Sequence, residues 1–394
     1  MIEIELKNVA AYGKDKIDAT TLNKYNYIST DNLIPDKGGI STSDYLPVKG
    51  KVSKFDIGDT LVSNIRPYFK KIWYANEIGG CSNDVIVFKP NKNKIDPKFL
   101  YYQLSKDEFF DFMMSGANGT KMPRGNKNAI PTFRLNLPPL PTQKRIASIL
   151  SAYDDLIENN LKRIKLLEEI AQRTYEEWFV KFRVNGEHLP IDETTGLPVG
   201  WKCESFNNIV EIISGFPFKS GDYVEDGKFK IVTIKNVQDG YFVPETTDIL
   251  LEIPNKVKAE QVLHTCDIIV SLTGNVGRIC LVYGDNYLLN QRVAKVIPLD
   301  EYSKAYVYFL LRSKAMITSL ENLSNGAAQQ NLSPINMGNM KVNIPDKNLL
   351  MKFGELANSI IDLISKLNLE NQKLMQSRDI LLPRLMSGTI NVES

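Results

Sequence analysis

The sequence is poor in the residues that most enzymes use for chemistry. Only His188 and His264 occur among 394 residues, so imidazole acid–base work and histidine metal sites have little material. The four cysteines, Cys81, Cys203, Cys266 and Cys280, stand far apart with no CxxC pair. That argues against zinc ribbons and a disulfide framework and leaves ordinary core thiols. No run approaches the roughly 18 consecutive apolar residues of a membrane span, and the opening MIEIELKNVA has no basic leader before an apolar stretch. A cytoplasmic chain with no membrane partner is expected.

Catalytic signatures are also missing. There is no GxxxxGK[ST] loop for ATP, no Asp/Asn-Pro-Pro-aromatic tetrad for amino-methyl transfer and no HExxH. Pro35-Asp36 begins a nuclease-like pattern, but the nearest Asp-x-Lys, Asp96 to Lys98, lies too far downstream. The glycine-rich segment from Thr273 to Arg278 sits between two strand-like runs and reads as a hairpin turn, not a phosphate cradle. No catalytic residue, metal ligand or cofactor is assigned to the chain.

What is present begins with size. With 394 residues, 43% of them apolar, the chain exceeds what one core accommodates. Its net charge of +2 conceals an uneven distribution. Residues 1–141 carry 20 basic and 15 acidic side chains, whereas residues 185–345 carry 14 and 18. A repeat of about 207 residues runs through the sequence. GDTLVSN at 58–64 recurs as CDIIVSL at 266–272, FRLNLP at 133–138 as MKVNIP at 340–345, and Asp155-Leu156-Ile157 as Asp362-Leu363-Ile364. Three matches in one order at nearly one spacing define a tandem duplication.

Each copy opens with short β-branched runs, such as 60–62, 85–88 and 268–270, separated by Gly, Asn, Asp and Pro clusters. Helical patterns at 97–112 and 305–320 interrupt them, so each copy starts with a mixed α/β domain. A heptad pattern follows. Ile146, Leu150, Tyr153, Ile157, Asn160, Ile164, Leu167, Ala171, Thr174 and Trp178 are spaced alternately by four and three. The second copy repeats this at Phe353, Ala357, Ile360, Ile364, Leu367, Asn371, Leu374, Arg378, Leu381 and Leu385. Such a seam predicts two long helices that pair with each other in one chain; the alternative is that each packs on its own domain. Asn160 and Asn371 are candidate register residues. Thr142 and Asp346 are the expected N-caps, Pro383 should kink or stop the second helix, and the first helix should be the longer. The expected fold class is α+β: two mixed domains, 1–141 and 184–345, each followed by a long helix, 142–183 and 346–394, with the helices forming an antiparallel intramolecular coiled coil of pseudo-two-fold symmetry.

Cations interleaved with aromatics mark candidate nucleic-acid contacts. Residues 47–74 hold six basic and two acidic side chains, with Arg66, Tyr68, Lys70 and Lys71 in the run RPYFKKIWY; Phe69 and Trp73 read as core. Lys121, Arg124, Asn126, Lys127 and Arg134 lie in a stretch without acids from 112 to 134. In the second copy the corresponding segment is amide-rich, with Gln329 and Gln330. Arg and Lys favour guanine edges and amides favour adenine. The candidate set in the second domain is Lys219, Lys235, Asn236, Asn275, Arg278, Arg292, Gln329 and Gln330. For any one residue the plain alternative is a solvated surface loop.

At the helices the sequence becomes recognisable. LPPLPTQKRIASILS at 137–151, YEEWFVKFR at 175–183, GLPVGW at 196–201 and LLPRLMSG at 381–388 resemble specificity subunits of Type I restriction-modification systems, as do GDTLVSNIRPYFKKIW and KMPRGN. The resemblance implies two target-recognition domains separated by two conserved helices. It further implies that each domain reads one half of a bipartite site in double-stranded DNA, while the helices set the gap and dock two modification (methyltransferase) subunits. Restriction subunits then join that complex. S-adenosylmethionine, ATP and magnesium belong, on this resemblance, to the partners. Competing expectations are a bridging scaffold that pairs between chains, and a self-sufficient nuclease or methyltransferase with unrecognised motifs.

Overall fold

The computed structural model describes residues 2–117, 119, 121–324 and 331–392. The chain forms two compact units, Met1–Leu156 with Leu374–Ser394, and Ile157–Lys373. Each holds one mixed domain and the ends of both long helices.

The first domain contains two four-stranded sheets. One is antiparallel, in the order Ala10–Tyr12, Val85–Pro90, Thr60–Ser63, Ile72–Tyr74. In the other, Lys16–Asp18, Lys51–Phe55 and Gly79–Cys81 are joined by Tyr27–Ile28, which runs parallel to Gly79–Cys81. A ribbon of Ile2–Glu5 on Arg134–Leu137 closes the domain, and Pro97–Leu104 and Asp107–Ser115 form its helices. The second domain repeats the plan. Val210–Ser214, Val293–Pro298, Ile268–Ser271 and Ile279–Leu281 form its antiparallel sheet, and Phe229–Val232 runs parallel to Tyr287–Leu289 in the other. Its ribbon pairs Lys202–Ser205 with Lys341–Ile344. The duplication extends to an ion pair under each antiparallel sheet: Lys89 lies 3.0 Å from Asp59, and Lys295 lies 2.7 Å from Asp267.

The two long helices are Leu140–Tyr175 and Lys347–Met386. Within the second unit Asn160 Nδ2 donates to Asn371 Oδ1 at 3.0 Å, and further along Tyr175 meets Phe353, so the helices run antiparallel. Within the first unit Arg378 Nη1 lies 2.7 Å from Asp154 Oδ1, and Ile146 and Leu150 share a core with Leu382 and Leu385. Ile146, Leu150, Ile157, Asn160, Phe353, Ile364, Leu367 and Asn371 are buried; Tyr153, Ile164, Leu167, Ile360 and Leu374 are half-buried. The two packing alternatives are combined. Each domain core is closed by the start of its own helix and the end of the other: Ile146, Ala147 and Leu150 with Leu382, Leu385 and Met386 in one, Leu350, Phe353 and Ala357 with Ala171, Tyr175 and Phe179 in the other.

Two boundary expectations are corrected. Thr142 is inside the first helix, because buried Gln143 anchors its start, donating to Pro138 O at 2.9 Å and Lys94 O at 3.2 Å. Asp346 does cap the second helix, accepting from Leu349 N at 3.1 Å. Pro383 neither stops nor ends that helix, which continues to Met386 because Leu385 and Met386 are held in the core. The first helix is the longer, as expected, because its 36 α-helical residues continue without a break into a π-turn of 5 residues at Glu176–Val180, against 40 residues in the second. That turn places Phe179 against Trp201 of the GLPVGW stretch, with ring centroids 5.9 Å apart.

Candidate nucleic-acid interface

In the first domain the two basic clusters meet. The chain leaves strand Thr60–Ser63 into a hairpin in which Arg66 and Lys70 both take left-handed backbone conformations, φ 49° and 51°. Arg66 N donates to Pro123 O at 2.8 Å and Ile65 bridges to Arg124, so the 121–127 loop is laid against the hairpin. Asp84 adds a third edge: its carbonyl accepts from Asn64 N at 2.7 Å. Lys121, Arg124 and Lys127 are exposed; Arg124 Nη2 stands 3.3 Å from Asp84 Oδ1, and Lys127 Nζ donates to Asn83 O at 3.2 Å. Asn126 is half-buried and its Oδ1 accepts from Asn128 N at 3.0 Å, so it shapes the loop.

The cations of the hairpin differ in freedom. Lys70 and Lys37 both reach Asp107 at 3.0 Å; burial raises that carboxyl, but the two ammonium groups outweigh it and hold it below the usual carboxylate range. Lys71 donates to Thr30 O at 2.5 Å, and burial lowers its pKa. Arg66 Nε is buried without a hydrogen-bond partner. Trp73 is in the core as expected, but Phe69 is not: it is 37% exposed beside Tyr68 at 47%. Its position at the hairpin tip, beyond the end of the strand, is the reason.

The second domain builds the same junction from other residues. Leu272 N donates to Arg292 O at 2.9 Å, Leu332 N donates to Leu272 O at 2.8 Å, and Thr273 bridges to Asn331. Thr273–Arg278 is a hairpin turn between Ile268–Ser271 and Ile279–Leu281, with Gly274 at φ 74° where the first domain has Arg66. Asn275 and Arg292 are exposed, and half-buried Arg278 donates to Gln238 Oε1. Lys219 and Lys235 are exposed on neighbouring segments: Phe216 bridges to Asn290, and a Cβ on Gly274 would meet Ile234 at 3.1 Å. Gln329 and Gln330 lie outside the described residues.

Asn236 is removed from the contact set. It is 2% exposed, its Oδ1 accepts from Thr233 N (2.9 Å) and Thr233 Oγ1 (3.1 Å), and its Nδ2 donates to Val243 O (2.9 Å) and Glu245 O (3.1 Å). An amide so engaged cannot read a base edge. Asn32 does the same in the first domain, bonding Ser29 N, Tyr27 O and Ser41 O. The two are a duplicated loop clip, for which the signal was available as S/T-x-x-N at 29–32 and 233–236. Asn236→Ala leaves buried donors and acceptors unpaired and is expected to cost about 2–3 kcal/mol of stability, read by chemical denaturation. A loss below 0.5 kcal/mol, on the order of a neutral surface change, would contradict the clip.

Equivalent junction positions thus carry opposed chemistry: Arg66 against Gly274, Asp84 against Arg292, Arg124 against Asn331. Asn83 and Gln291, each preceding one of these residues, were missed by sequence reasoning, although the 208-residue offset of GDTLVSN aligns them. Among the described residues no group of three or more His, Cys, Asp or Glu could hold a metal ion, and no helix is long and apolar enough to cross a membrane.

Comparison with known proteins agrees with this duplication. Residues 3–169 and 198–374 both match the family described as Type I restriction modification DNA specificity domain. The chain is 25% identical to the Type I restriction enzyme HindI specificity subunit of Haemophilus influenzae, over 92% of this chain and 94% of that protein. It is 26% identical to the MjaVIII specificity subunit of Methanocaldococcus jannaschii, over 94% and 87%. In fold it is similar to the crystal structure of the S subunit of a Type I restriction-modification system from M. genitalium, with TM-score 0.58 and 18% identity over 98% of this chain and 96% of that one. With two matched segments that together span most of its length, the chain belongs to the Type I restriction-modification DNA specificity family.

Proposed function

We propose that the protein is the non-catalytic subunit that gives a Type I restriction-modification complex its DNA sequence, each domain reading one half of a bipartite site in duplex DNA. The observation that carries this reading is the pair of junctions, alike in backbone and unlike in side chains at Arg66/Gly274, Asp84/Arg292 and Arg124/Asn331. Phosphate contacts position a protein on DNA and base-edge contacts specify sequence, so one scaffold presenting two chemistries reads two different half-sites. Lys121, Arg124 and Lys127 in one domain, and Lys219, Lys235 and Arg292 in the other, are exposed cations suited to phosphates and guanines. The helix pair sets the gap between half-sites and docks two modification subunits, which restriction subunits then join. S-adenosylmethionine, ATP and magnesium act in those partners, and the complex works in the cytoplasm.

Exchanging residues 1–141 for the corresponding domain of a relative, in the full chain co-expressed with its modification subunits, is expected to change one half of the methylated sequence and leave the other half intact. Sequencing of methylated adenines reads the outcome. An unaltered motif after the exchange would sink the proposal, as would methylation or cleavage of DNA by the purified chain alone.

A further inference from the structure

The hairpin turn of the first domain exposes two aromatic rings, whereas the equivalent turn of the second carries none and the exposed ring nearby, Tyr241, comes from the neighbouring segment. Tyr68 and Phe69 are 47% and 37% exposed, with ring centroids 4.7 Å apart. The equivalent turn, from Leu272 to Arg278, holds Thr, Gly, Asn and Val in their place. Large exposed rings are unfavourable in water unless they meet a partner, so a partner is implied at this tip.

The backbone that carries the rings is fixed. Arg66 and Lys70 bracket them in the left-handed region, which costs energy for residues with a Cβ and persists only where surrounding contacts enforce it. Those contacts are present: Phe69 N donates to Arg66 O at 3.0 Å, Lys70 N to Pro67 O at 2.8 Å, Asp36 N to Phe69 O at 2.9 Å and Lys37 N to Lys70 O at 3.0 Å. Asp107 ties Lys37 and Lys70 together from the neighbouring helix. Rings held in this way lose little freedom on binding.

The surrounding charge selects the partner's class. Arg66, Lys70, Lys71 and, across the junction, Arg124 flank the rings, and Lys71 Nζ lies 6.0 Å from the Phe69 ring centroid. Aromatic faces amid cations suit stacked bases between phosphates, whereas an apolar protein surface would leave those cations desolvated. Apolar wedges placed between base pairs unstack and kink a duplex.

We propose that Tyr68 and Phe69 form a wedge that opens one base step in the half-site read by the first domain, the second domain reading its half without one. This rests on the function proposed above. It makes the two half-sites mechanically unequal, with deformability read in one and not the other.

The test uses the full chain in complex with its modification subunits, and a duplex carrying the motif found by methylated-adenine sequencing, with 2-aminopurine placed at successive positions of the first domain's half. One step is expected to brighten on binding of the unsubstituted complex and to stay dark with the Tyr68→Ala/Phe69→Ala double variant. The double variant is expected to bind the motif roughly 10- to 100-fold more weakly, the range of one to two lost stacking contacts. Its salt dependence stays unchanged because no phosphate contact is removed. A mismatch at the opened step restores its affinity, since the unstacking is then already done, and the exchange variant Tyr68→Phe/Phe69→Tyr keeps both signals. Motif binding by the double variant within twofold of the unsubstituted complex would overturn the wedge. So would a reduced salt slope, or loss of the modification subunits from the purified variant, which would make the rings a protein-docking point. Equal binding of motif and scrambled duplexes by the unsubstituted complex would overturn the proposed function itself, and the wedge with it.

Discussion

Replacing Phe353 by alanine is expected to remove about 3–5 kcal/mol from the stability of the second unit, measured by guanidinium denaturation followed by tryptophan fluorescence. Phe353 is fully buried and sits where the first turns of the second long helix meet the end of the first. Its ring meets Phe179 edge-on at 5.0 Å, and Trp178 and Phe309 lie at 5.8 and 6.3 Å. Alanine would therefore open a cavity among side chains from three elements that cannot collapse independently, and would remove edge-to-face ring contacts besides. The signal should appear at Trp178 and Trp201, both of which belong to this cluster. Two units with separate cores allow two transitions, and only the second unit's should move. A shift of less than about 1 kcal/mol, the scale of a volume-conserving swap, would show that the helix end is not part of the domain core.

Lengthening both long helices by one heptad is expected to lengthen the gap in the recognised DNA sequence by about three base pairs. Duplicating residues 157–163 and 368–374 adds seven residues to each helix, or about 10 Å at 1.5 Å per residue, against 3.4 Å per base pair. Seven residues are close to two full turns, so the seam continues in phase. The inserted stretches bring their own partners, since Asn160 and Asn371 lie opposite one another within them. The contacts that fix each domain to a helix, such as Tyr102 with Asp154 and Arg312 with Glu168, lie outside the duplicated residues. The methylated motif again supplies the measurement. A gap of unchanged length would refute the helices as the element that sets it.

How far the sequence could be read depended on the range of the interactions. The helices were legible because a seam is periodic and local, from Ile146 to Trp178 and from Phe353 to Leu385. Their ends were not: Gln143 anchors the first helix through carbonyls at Lys94 and Pro138, a contact across 49 residues that no N-cap pattern contains. In the sheets, Gly79 and Gly80 lie in a buried strand that no local pattern announces, and a Cβ at Gly79 would lie 2.1 Å from Asn26 O beside the neighbouring strand. Close approach, not conformational freedom, requires glycine there. At the interface the charge clusters were visible, but their convergence was not, since Ile65 meets Arg124 only through the fold. Asn236 was misread because an amide's residue type does not reveal whether its hydrogen bonds are already taken.

The buried amide pair of the helix seam has one more consequence. Asn160 and Asn371 meet in a single alignment, where Asn160 Nδ2 donates to Asn371 Oδ1 while Asn371 Nδ2 is buried without a partner. Sliding one helix past the other by a heptad would set Asn160 against Ile364 and Asn371 against Tyr153, or Asn160 against Arg378 and Asn371 against Leu167, so that at least one amide faces an aliphatic side chain at a cost of about 1–3 kcal/mol. One such group makes a slipped chain rarer than the aligned one by roughly 5- to 150-fold. Helix alignment is therefore all-or-none: a misfolded molecule of this kind differs from the native one by whole heptads, never by a fraction. A population of newly made chains should accordingly contain discrete length classes, mostly one, and no continuum between them.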